Sequence, residues 1–294
     1  MSYHVLHVLQ SFCTLTKDRG FIVCKGQDNF EKRLPHADLR AVIVAARGVN
    51  LSSSFVSAVL ESNAVILHCN ENYQPNGITA PLPRVIDRNA FLRQASRPKM
   101  LNERLWGTLL RGKTVNQQRV LELQQHPSPH LAYALENDVL DESNCARRYW
   151  QLYFPAIGWV STKRERRDGE SPPNQMLNYG YAVLSALCHR SLLVHGLTPL
   201  LGVKHTTRYK ADPLVYDLME PFRPIVDLML AEFMIGEDVA FRLWARKVGA
   251  ELRERRVKHE RYSMKLMDAI DASASSLARS YAENTAKPFW VPEL

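Results

Sequence analysis

The stretch that decides the fold is Asn174-Gln-Met-Leu-Asn-Tyr-Gly-Tyr-Ala-Val-Leu-Ser-Ala-Leu-Cys-His-Arg-Ser-Leu-Leu-Val-His195. Apolar residues lie on nearly every face of a helix drawn through it, so such a helix needs apolar neighbours all round. Gly196 follows directly, and glycine is the residue that most often ends a helix. The stretch therefore predicts a long helix, buried at the centre of a helical bundle.

Helical patterns surround this segment from about residue 89 onward. A Pro after an Asp, as at Asp212-Pro213, is a helix-start signal, and a Pro after an amphipathic run, as at Pro155, is a stop signal. We predict helices over Ala90–Ser96, Met100–Leu110, Val115–Gln124 and Glu142–Phe154, a helix start at Asp212, and helices over 238–262 and 263–282. The region after residue 99 is thus predicted to be all-α.

The first 83 residues have a different pattern, with short apolar runs rich in β-forming residues and bounded by turn residues. We predict strands over Tyr3–Leu9, Gly20–Cys24, Ala41–Ala46, Ala64–Cys69 and Gly77–Pro81, a turn at Pro75-Asn-Gly77, and one helix that begins after Ser52 and ends near Asn63. The predicted fold class is α+β. A small N-terminal β-sheet domain (1–83) precedes a linker and first helix (84–98) and a larger α-helical domain (99–294).

Composition excludes several classes of protein. Of the 294 residues 46% are hydrophobic, which is typical of a globular chain and too high for a disordered one. No apolar run approaches the roughly 20 residues that span a bilayer, and no basic segment precedes an apolar one as in a secretory signal. Five widely spaced cysteines predict reduced thiols and a cytoplasmic location.

The positive charge is concentrated in blocks. Lys and Arg total 38 against 30 Asp and Glu, which gives +8. Basic residues dominate 93–119, 147–167 and 242–265, and acids gather at 122–142 and 212–238. One such block is often only a solvated helix face, but three in one domain favour a surface that follows nucleic-acid phosphates. The loop 161–173 is charged and turn-rich, and is either a DNA clamp or a solvent loop.

Four residues could carry chemistry: Glu142, His205, Asp217 and Glu220. On one continuous helix, Asp217 and Glu220 would project from neighbouring positions on one face. Carboxylates with one imidazole suit Mg²⁺ or Mn²⁺ with open, water-filled positions. Acid pairs at this spacing are nevertheless common, and a lone loop histidine is more often structural. Pro221 interrupts the helix here, because it cannot donate to the carbonyl of Asp217.

Four blocks of the sequence resemble the CRISPR-associated integrase family (Cas1), the metal-dependent, nuclease-like subunit of spacer acquisition. The blocks are Glu142-Ser-Asn-Cys-Ala-Arg-Arg-Tyr-Trp150, Asn174–Leu184, Gly196-Leu-Thr-Pro-Leu-Leu-Gly-Val-Lys-His205 and Asp212-Pro-Leu-Val-Tyr-Asp-Leu-Met-Glu-Pro-Phe-Arg-Pro-Ile-Val-Asp227. They occur in the family's order over some 85 residues. The likeness is closest to the type II branch, and the family's β domain followed by a helical catalytic domain fits the whole chain.

The resemblance assigns roles to the candidate residues. It implies that Glu142, His205 and Glu220 are the metal ligands and the catalytic residues, with Mg²⁺ or Mn²⁺ as cofactor. Asp217 matches a nearby acid that assists in some members, so it is supporting. Asn174 matches a family Asn at the start of the buried helix, where we expect it to act as the N-cap. These acids are expected to form a negative interior beneath a basic surface.

The resemblance implies a CRISPR adaptation integrase and DNA endonuclease. It would join the 3′-hydroxyl ends of short foreign DNA fragments to the repeat of a CRISPR array. The expected partners are double-stranded DNA (prespacer and repeat), a second copy bound through the β domain, and a small ferredoxin-like subunit (Cas2) giving a heterohexamer, with an effector nuclease and accessory proteins by analogy. A non-catalytic DNA-binding scaffold and a free-standing metal nuclease on branched DNA remain alternatives.

Overall fold

The computed structural model describes residues 4–27, 30–70, 75–82, 87–160, 163–165, 171–206, 212–235, 240–259 and 262–294. The described strands are β1 (His4–Val8), β2 (Thr14–Asp18), β3 (Phe21–Lys25), β4 (Glu31–Pro35), β5 (Leu39–Val44), β6 (Asn50–Leu51), β7 (Val65–Cys69), β8 (Pro75–Thr79), β9 (Arg256–His259) and β10 (Tyr262–Lys265). The described α-helices are α1 (Ser53–Glu61), α2 (Arg88–Ser96), α3 (Lys99–Leu123), α4 (Pro129–Glu136), α5 (Glu142–Ala156), α6 (Pro172–Val194), α7 (Pro213–Leu218), α8 (Arg223–Met234), α9 (Phe241–Glu254) and α10 (Leu266–Glu283). This order confirms the predicted α+β class, with a β-rich N-terminal region before a mostly helical one.

Two four-stranded sheets form the N-terminal region. One has the order β1-β5-β7-β8, with β1, β5 and β7 parallel and β8 antiparallel. The other has the order β4-β3-β2-β6. The first sheet is covered on both faces, because Ala41, Ile43 and Leu67 pack with the helices while Val42 and Ile66 pack with the second sheet and α1. A strand segment buried on both faces is apolar throughout, which is why β5 and β7 contain the apolar runs 41–44 and 65–67.

Helix α6 is the central element of the helical region, as predicted from its all-round apolar surface. Among its described side chains, Leu177, Val183, Leu184 and Cys188 are fully buried. Packing is close at Gly180, where a Cβ atom would lie 2.5 Å from Val226 Cγ1 of α8. The helix ends as predicted, with Gly196 at a φ of 73°. Helix α6 also packs on β5 and β7, so one apolar core joins the sheet to the helices.

Three predictions about the helices are wrong. The two helices predicted over 100–110 and 115–124 are one 25-residue helix, α3. Helix α5 continues to Ala156 with Pro155 in its last turn, where the missing proline N–H removes only the donor to the Gln151 carbonyl, one residue before the helix ends. The predicted helix 238–262 ends at Glu254 and is followed by the antiparallel pair β9–β10. The region after residue 99 is therefore not strictly all-α.

Of the predictions for the N-terminal region, the structure confirms the cap of the helix and contradicts one turn. Helix α1 has the predicted N-cap, because the Ser52 side chain accepts from the backbone N–H of Phe55. The turn predicted at Pro75-Asn-Gly77 is wrong, since these residues begin β8. The predicted linker lies partly outside the described residues, at 83–86, as does the charged loop at 161–162 and 166–170. No helix among the described residues combines the length and apolarity needed to cross a bilayer.

Candidate metal centre

Helix α3 forms one wall of the candidate site and supplies three of its contacts. The Trp106 ring meets the His205 ring edge-on, with 5.9 Å between centroids. Two turns later, the Lys113 ammonium contacts Glu142 and Glu220. Asn116 then donates through Nδ2 to the Pro221 carbonyl at 2.8 Å. Residues seven apart on a helix share a face, so Trp106 and Lys113 face the same site.

The two predicted glutamate ligands are linked by a single positive charge. Lys113 Nζ lies 2.5 Å from Glu220 Oε2 and 3.5 Å from Glu142 Oε1. The side chains of Lys113 and Glu220 are only 9% and 6% exposed, whereas that of Glu142 is 36% exposed. The structure therefore brings Glu142, from the first turn of α5, and Glu220, from the turn after α7, to one cation.

Glu220 is ionised in spite of its burial. Burial acts to raise the pKa of its carboxyl, but the charges of Arg223 and Lys113 outweigh burial and hold the pKa at about 2. Arg223 Nε lies 3.1 Å from Glu220 Oε1. A buried carboxylate is tolerated where cations pair with it, so Glu220 is a permanent anion at the centre of the site.

His205 is oriented by Asp217. Its Nδ1 lies 2.6 Å from Asp217 Oδ1, and because a carboxylate only accepts, the proton is on Nδ1. Asp217 is fully buried and also accepts from the backbone N–H groups of Lys204 and His205, at 3.1 and 3.3 Å. His205 Nε2 has no hydrogen-bond partner among the described residues. A carboxylate on the distal nitrogen is the usual way that proteins orient a metal-binding histidine.

The donor set fits the implied metal. Two carboxylates already gathered on a cation, with an oriented imidazole, match the ligands that Mg²⁺ and Mn²⁺ accept. Glu220 Oε2 is buried, and its contact with the Lys113 ammonium does not have the geometry of a hydrogen bond. As the side chains lie, no group of three His, Cys, Asp or Glu among the described residues is close enough to hold an ion.

Two details of the site differ from the sequence-based expectations. Asp217 and Glu220 do not act as a pair on one helix face, because α7 ends at Leu218 and a 3₁₀ turn covers Glu220–Phe222. The predicted break at Pro221 is thus confirmed, and it sends the two carboxylates to different partners. The predicted N-cap role of Asn174 is wrong, since α6 begins at Pro172. Asn174 Oδ1 instead accepts from Arg164 Nη1 at 2.7 Å and from the backbone N–H of Glu165.

Sequence reasoning missed the cations of the site and one buried carboxyl group beside it. The interior is not simply negative, because Lys113 and Arg223 lie inside it with Glu142 and Glu220. Lys113 falls within the basic block 93–119, but it is not part of an exposed surface, because it is buried together with its flanking residues Gly112 and Thr114. Beside the site, Asp227 is fully enclosed and its pKa is raised to about 7 by burial, against hydrogen bonds donated by Tyr181 and Tyr149.

The basic blocks divide into surface and structural residues. Several of their arginines are exposed, including Arg93, Arg104 and Arg148. Arg255, by contrast, forms ion pairs with Glu232 and Glu251 beside α9. The block at 242–265 is therefore partly structural. A DNA-following surface remains a prediction for the exposed members.

Comparison with known proteins shows similarity in both sequence and fold. The sequence model described as "CRISPR associated protein Cas1" matches residues 6–240. A protein named "CRISPR-associated endonuclease Cas1" from Neisseria meningitidis serogroup C (strain 8013) is 27% identical over 275 residues, which cover 91% of this chain and 90% of that protein.

Solved structures share the whole fold at lower sequence identity. A "Casposase bound to integration product" superposes with a TM-score of 0.84 at 17% identity, covering 96% of this chain and 92% of that one. A Cas1 protein from Thermotoga maritima gives 0.77 at 18% identity, covering 94% and 96%. A "Cas6-RT-Cas1--Cas2 complex" gives 0.76 at 17% identity, covering 99% of this chain and 36% of that longer one. These likenesses establish the fold.

Proposed function

The chain belongs to the Cas1 family of CRISPR-associated proteins, and from this premise we propose that it integrates DNA at a metal centre formed by Glu142, His205 and Glu220. The function predicted from the sequence, a CRISPR adaptation integrase with endonuclease chemistry, is confirmed at the level of the family. Neither alternative, a non-catalytic scaffold or a free-standing nuclease, is favoured by its relatives.

One observation carries the proposed site: Glu142 and Glu220, which are 78 positions apart, meet on one cation. His205 faces the same wall of α3 and keeps one ring nitrogen for a ligand. A bound Mg²⁺ or Mn²⁺ would polarise the phosphodiester and stabilise negative charge as the attacking oxygen adds. The three proposed ligands come from separate parts of the chain: Glu142 from α5, His205 from the segment between α6 and α7, and Glu220 from the turn after α7.

The remaining residues prepare these ligands. Asp217 fixes the ring orientation of His205, and Arg223 keeps Glu220 ionised. The nucleophile is the 3′-hydroxyl of the incoming DNA, so the chain needs no side-chain nucleophile. Exposed arginines of the basic blocks would hold the DNA backbone without reading bases.

Partners are proposed from the relatives. The casposase structure contains an integration product and the Cas6-RT-Cas1 structure contains Cas2, which supports double-stranded DNA and a Cas2-like subunit as partners. A homodimer through the β domain, the heterohexamer with Cas2 and the type II assignment remain predictions of the resemblance. A cytoplasmic location is consistent with these partners.

The test is strand transfer of a labelled DNA fragment into supercoiled plasmid, with Mg²⁺, Mn²⁺ or EDTA, with and without the Cas2-like subunit. We expect Glu220→Ala to abolish strand transfer and to keep DNA binding in a mobility-shift assay. The matched control is Glu103→Ala, which removes an exposed glutamate of α3 whose ion pair within the described part of the chain is with Lys99, at 3.9 Å. Integration by Glu220→Ala at the wild-type rate would refute the site.

A further inference from the structure

Lys113 occupies a position that a basic residue of a DNA-binding surface would not. It lies on the buried face of α3, with its ammonium between two carboxylates from other elements. Two residues of α3, one before and one after Lys113, contact the turn at 220–222. At Gly112 a Cβ atom would lie 2.6 Å from Val291 Cγ2 of the C-terminal segment and in ordinary contact, at 3.4 Å, with Pro221 Cβ, so the glycine leaves room for Val291 beside the turn. Asn116 then holds the Pro221 carbonyl.

The charges around Lys113 balance without a metal. Glu142 and Glu220 contribute two negative charges, and Lys113 and Arg223 contribute two positive ones. Two buried or half-buried carboxylates facing each other without a cation would repel and would lose hydration. The ammonium therefore keeps the two side chains together in the metal-free chain.

A divalent ion needs the same oxygen atoms. Glu220 Oε2 cannot contact the Lys113 ammonium and ligate a metal ion in the same direction. The ammonium and the metal ion are both positive, and at such a short distance they would repel each other strongly in a site shielded from water. Lysine suits such a replaceable role, because its charge sits on a flexible four-carbon stem. Arg223 differs, since it contacts the other oxygen, Oε1, through Nε.

We propose that Lys113 is a built-in substitute for the metal: it holds Glu142 and Glu220 together in the metal-free chain and is displaced when a divalent ion binds. This inference rests on the proposed metal centre and adds to it a competition between one side chain and the ion. Lys113 is thus a positioning residue, which prepares the ligands before the metal arrives and lowers the affinity of the site for it.

The first experiment measures Mn²⁺ binding to the full chain by the electron paramagnetic resonance signal of unbound Mn²⁺. We expect Lys113→Met to bind Mn²⁺ about tenfold more tightly than the wild type, because one repelling charge is gone. Lys113→Arg keeps the charge and should bind close to the wild-type value. Lys99→Met, which removes an exposed lysine of the same helix, should leave the affinity unchanged.

If Lys113 formed a purely structural ion pair, Lys113→Met would change the Mn²⁺ affinity in the opposite direction. Loss of the pair would then let the ligands move apart and would weaken Mn²⁺ binding. Equal or weaker binding by Lys113→Met therefore overturns the proposal while leaving the metal centre intact. Absence of Mn²⁺ binding by the wild type and by Lys113→Met alike would instead refute the metal centre itself, and the proposal with it.

A second measurement uses only the wild-type chain, so it does not depend on a variant that folds. Lysines are acetylated briefly with an amine-reactive ester, and the modified sites are quantified by mass spectrometry. Lys113 should be protected in EDTA and should become several-fold more reactive in saturating Mn²⁺, whereas Lys99 should react equally in both. Equal protection of Lys113 with and without Mn²⁺ would contradict displacement.

Discussion

Replacement of Asp217 by Asn tests how strongly strand transfer and stability depend on the carboxylate that orients His205. The fully buried carboxylate accepts three hydrogen bonds: from His205 Nδ1 at 2.6 Å and from the backbone N–H groups of Lys204 and His205 at 3.1 and 3.3 Å. Asn has the same shape but only one oxygen. Its amide group would face at least one of these donors, and the negative charge that strengthens all three bonds would be lost.

The magnitude follows from those three bonds. A hydrogen bond to a charged group contributes about 1.5–3 kcal/mol and a neutral one about 0.5–1.5. Weakening two bonds and losing one in a buried place should lower the free energy of unfolding by about 3 kcal/mol. Loss of the carboxylate behind a metal-binding histidine typically costs about 10- to 100-fold in metal affinity or activity, and we expect strand transfer to fall by that factor.

Two assays on the same preparation separate these effects. Urea unfolding gives the change in stability, and plasmid strand transfer at a temperature where the variant is fully folded gives the change in activity. Asp138→Asn is the control, because Asp138 forms only an exposed ion pair with Arg111 at 3.3 Å and should shift stability by less than about 1 kcal/mol. If Asp217→Asn matched the wild type in both assays, Asp217 would not orient His205 and the reasoning would be wrong.

Three further predictions concern the packing and the buried ionisable groups. Gly180→Ala should destabilise the chain by about 1–3 kcal/mol through its clash with Val226, and adding Val226→Ala should recover part of this in urea unfolding; no recovery would exclude the clash. Burial lowers the pKa of His7 to about 4 from 6.5, so only the unfolded chain takes up a proton between these values. Stability should fall by roughly 3 kcal/mol as the pH drops from 6.5 to 4, and His7→Phe should flatten that fall; an unchanged slope contradicts the assignment. Tyr149→Phe removes a donor to Asp227, whose pKa is about 7, so the loss in melting temperature should be larger at pH 8 than at pH 5, and equal losses would count against an ionised Asp227.

The elements that could be predicted from the sequence are those with one buried face or with all faces buried, because their apolar residues form a regular pattern. Helix α6 and the apolar runs of β5 and β7 are enclosed by other elements. Their apolar residues therefore indicate burial directly, and their lengths distinguish the helix from the strands. Strand β4, Glu-Lys-Arg-Leu-Pro, is mostly exposed at a sheet edge, and nothing in its composition distinguishes it from a loop. The β9–β10 pair is not evident from the sequence for a similar reason, because Val257 is the one buried side chain among those described in β9 and its neighbours in the strand are polar.

The sequence leads to a proposed set of site residues but not to the charges that surround them. The resemblance named Glu142, His205 and Glu220, and backbone geometry at Pro221 could be worked out from the missing N–H of proline. The inward direction of Lys113 could not be predicted in this way. A count of basic residues gives no information about which of them lie on the buried face of a helix. The three-residue spacing of Glu220 and Arg223 was the one local signal for an internal ion pair.

The single helix behind the site restricts how the sequence can change in length. Trp106 and Lys113 reach His205 and the two glutamates from one face of α3, two turns apart. One residue inserted between them would rotate everything after it by about 100° and advance it by about 1.5 Å. The indole and the ammonium could then no longer face the same site. A single substitution in this segment leaves the spacing of Trp106 and Lys113 unchanged, whereas an insertion or a deletion would turn the two side chains to different faces of α3.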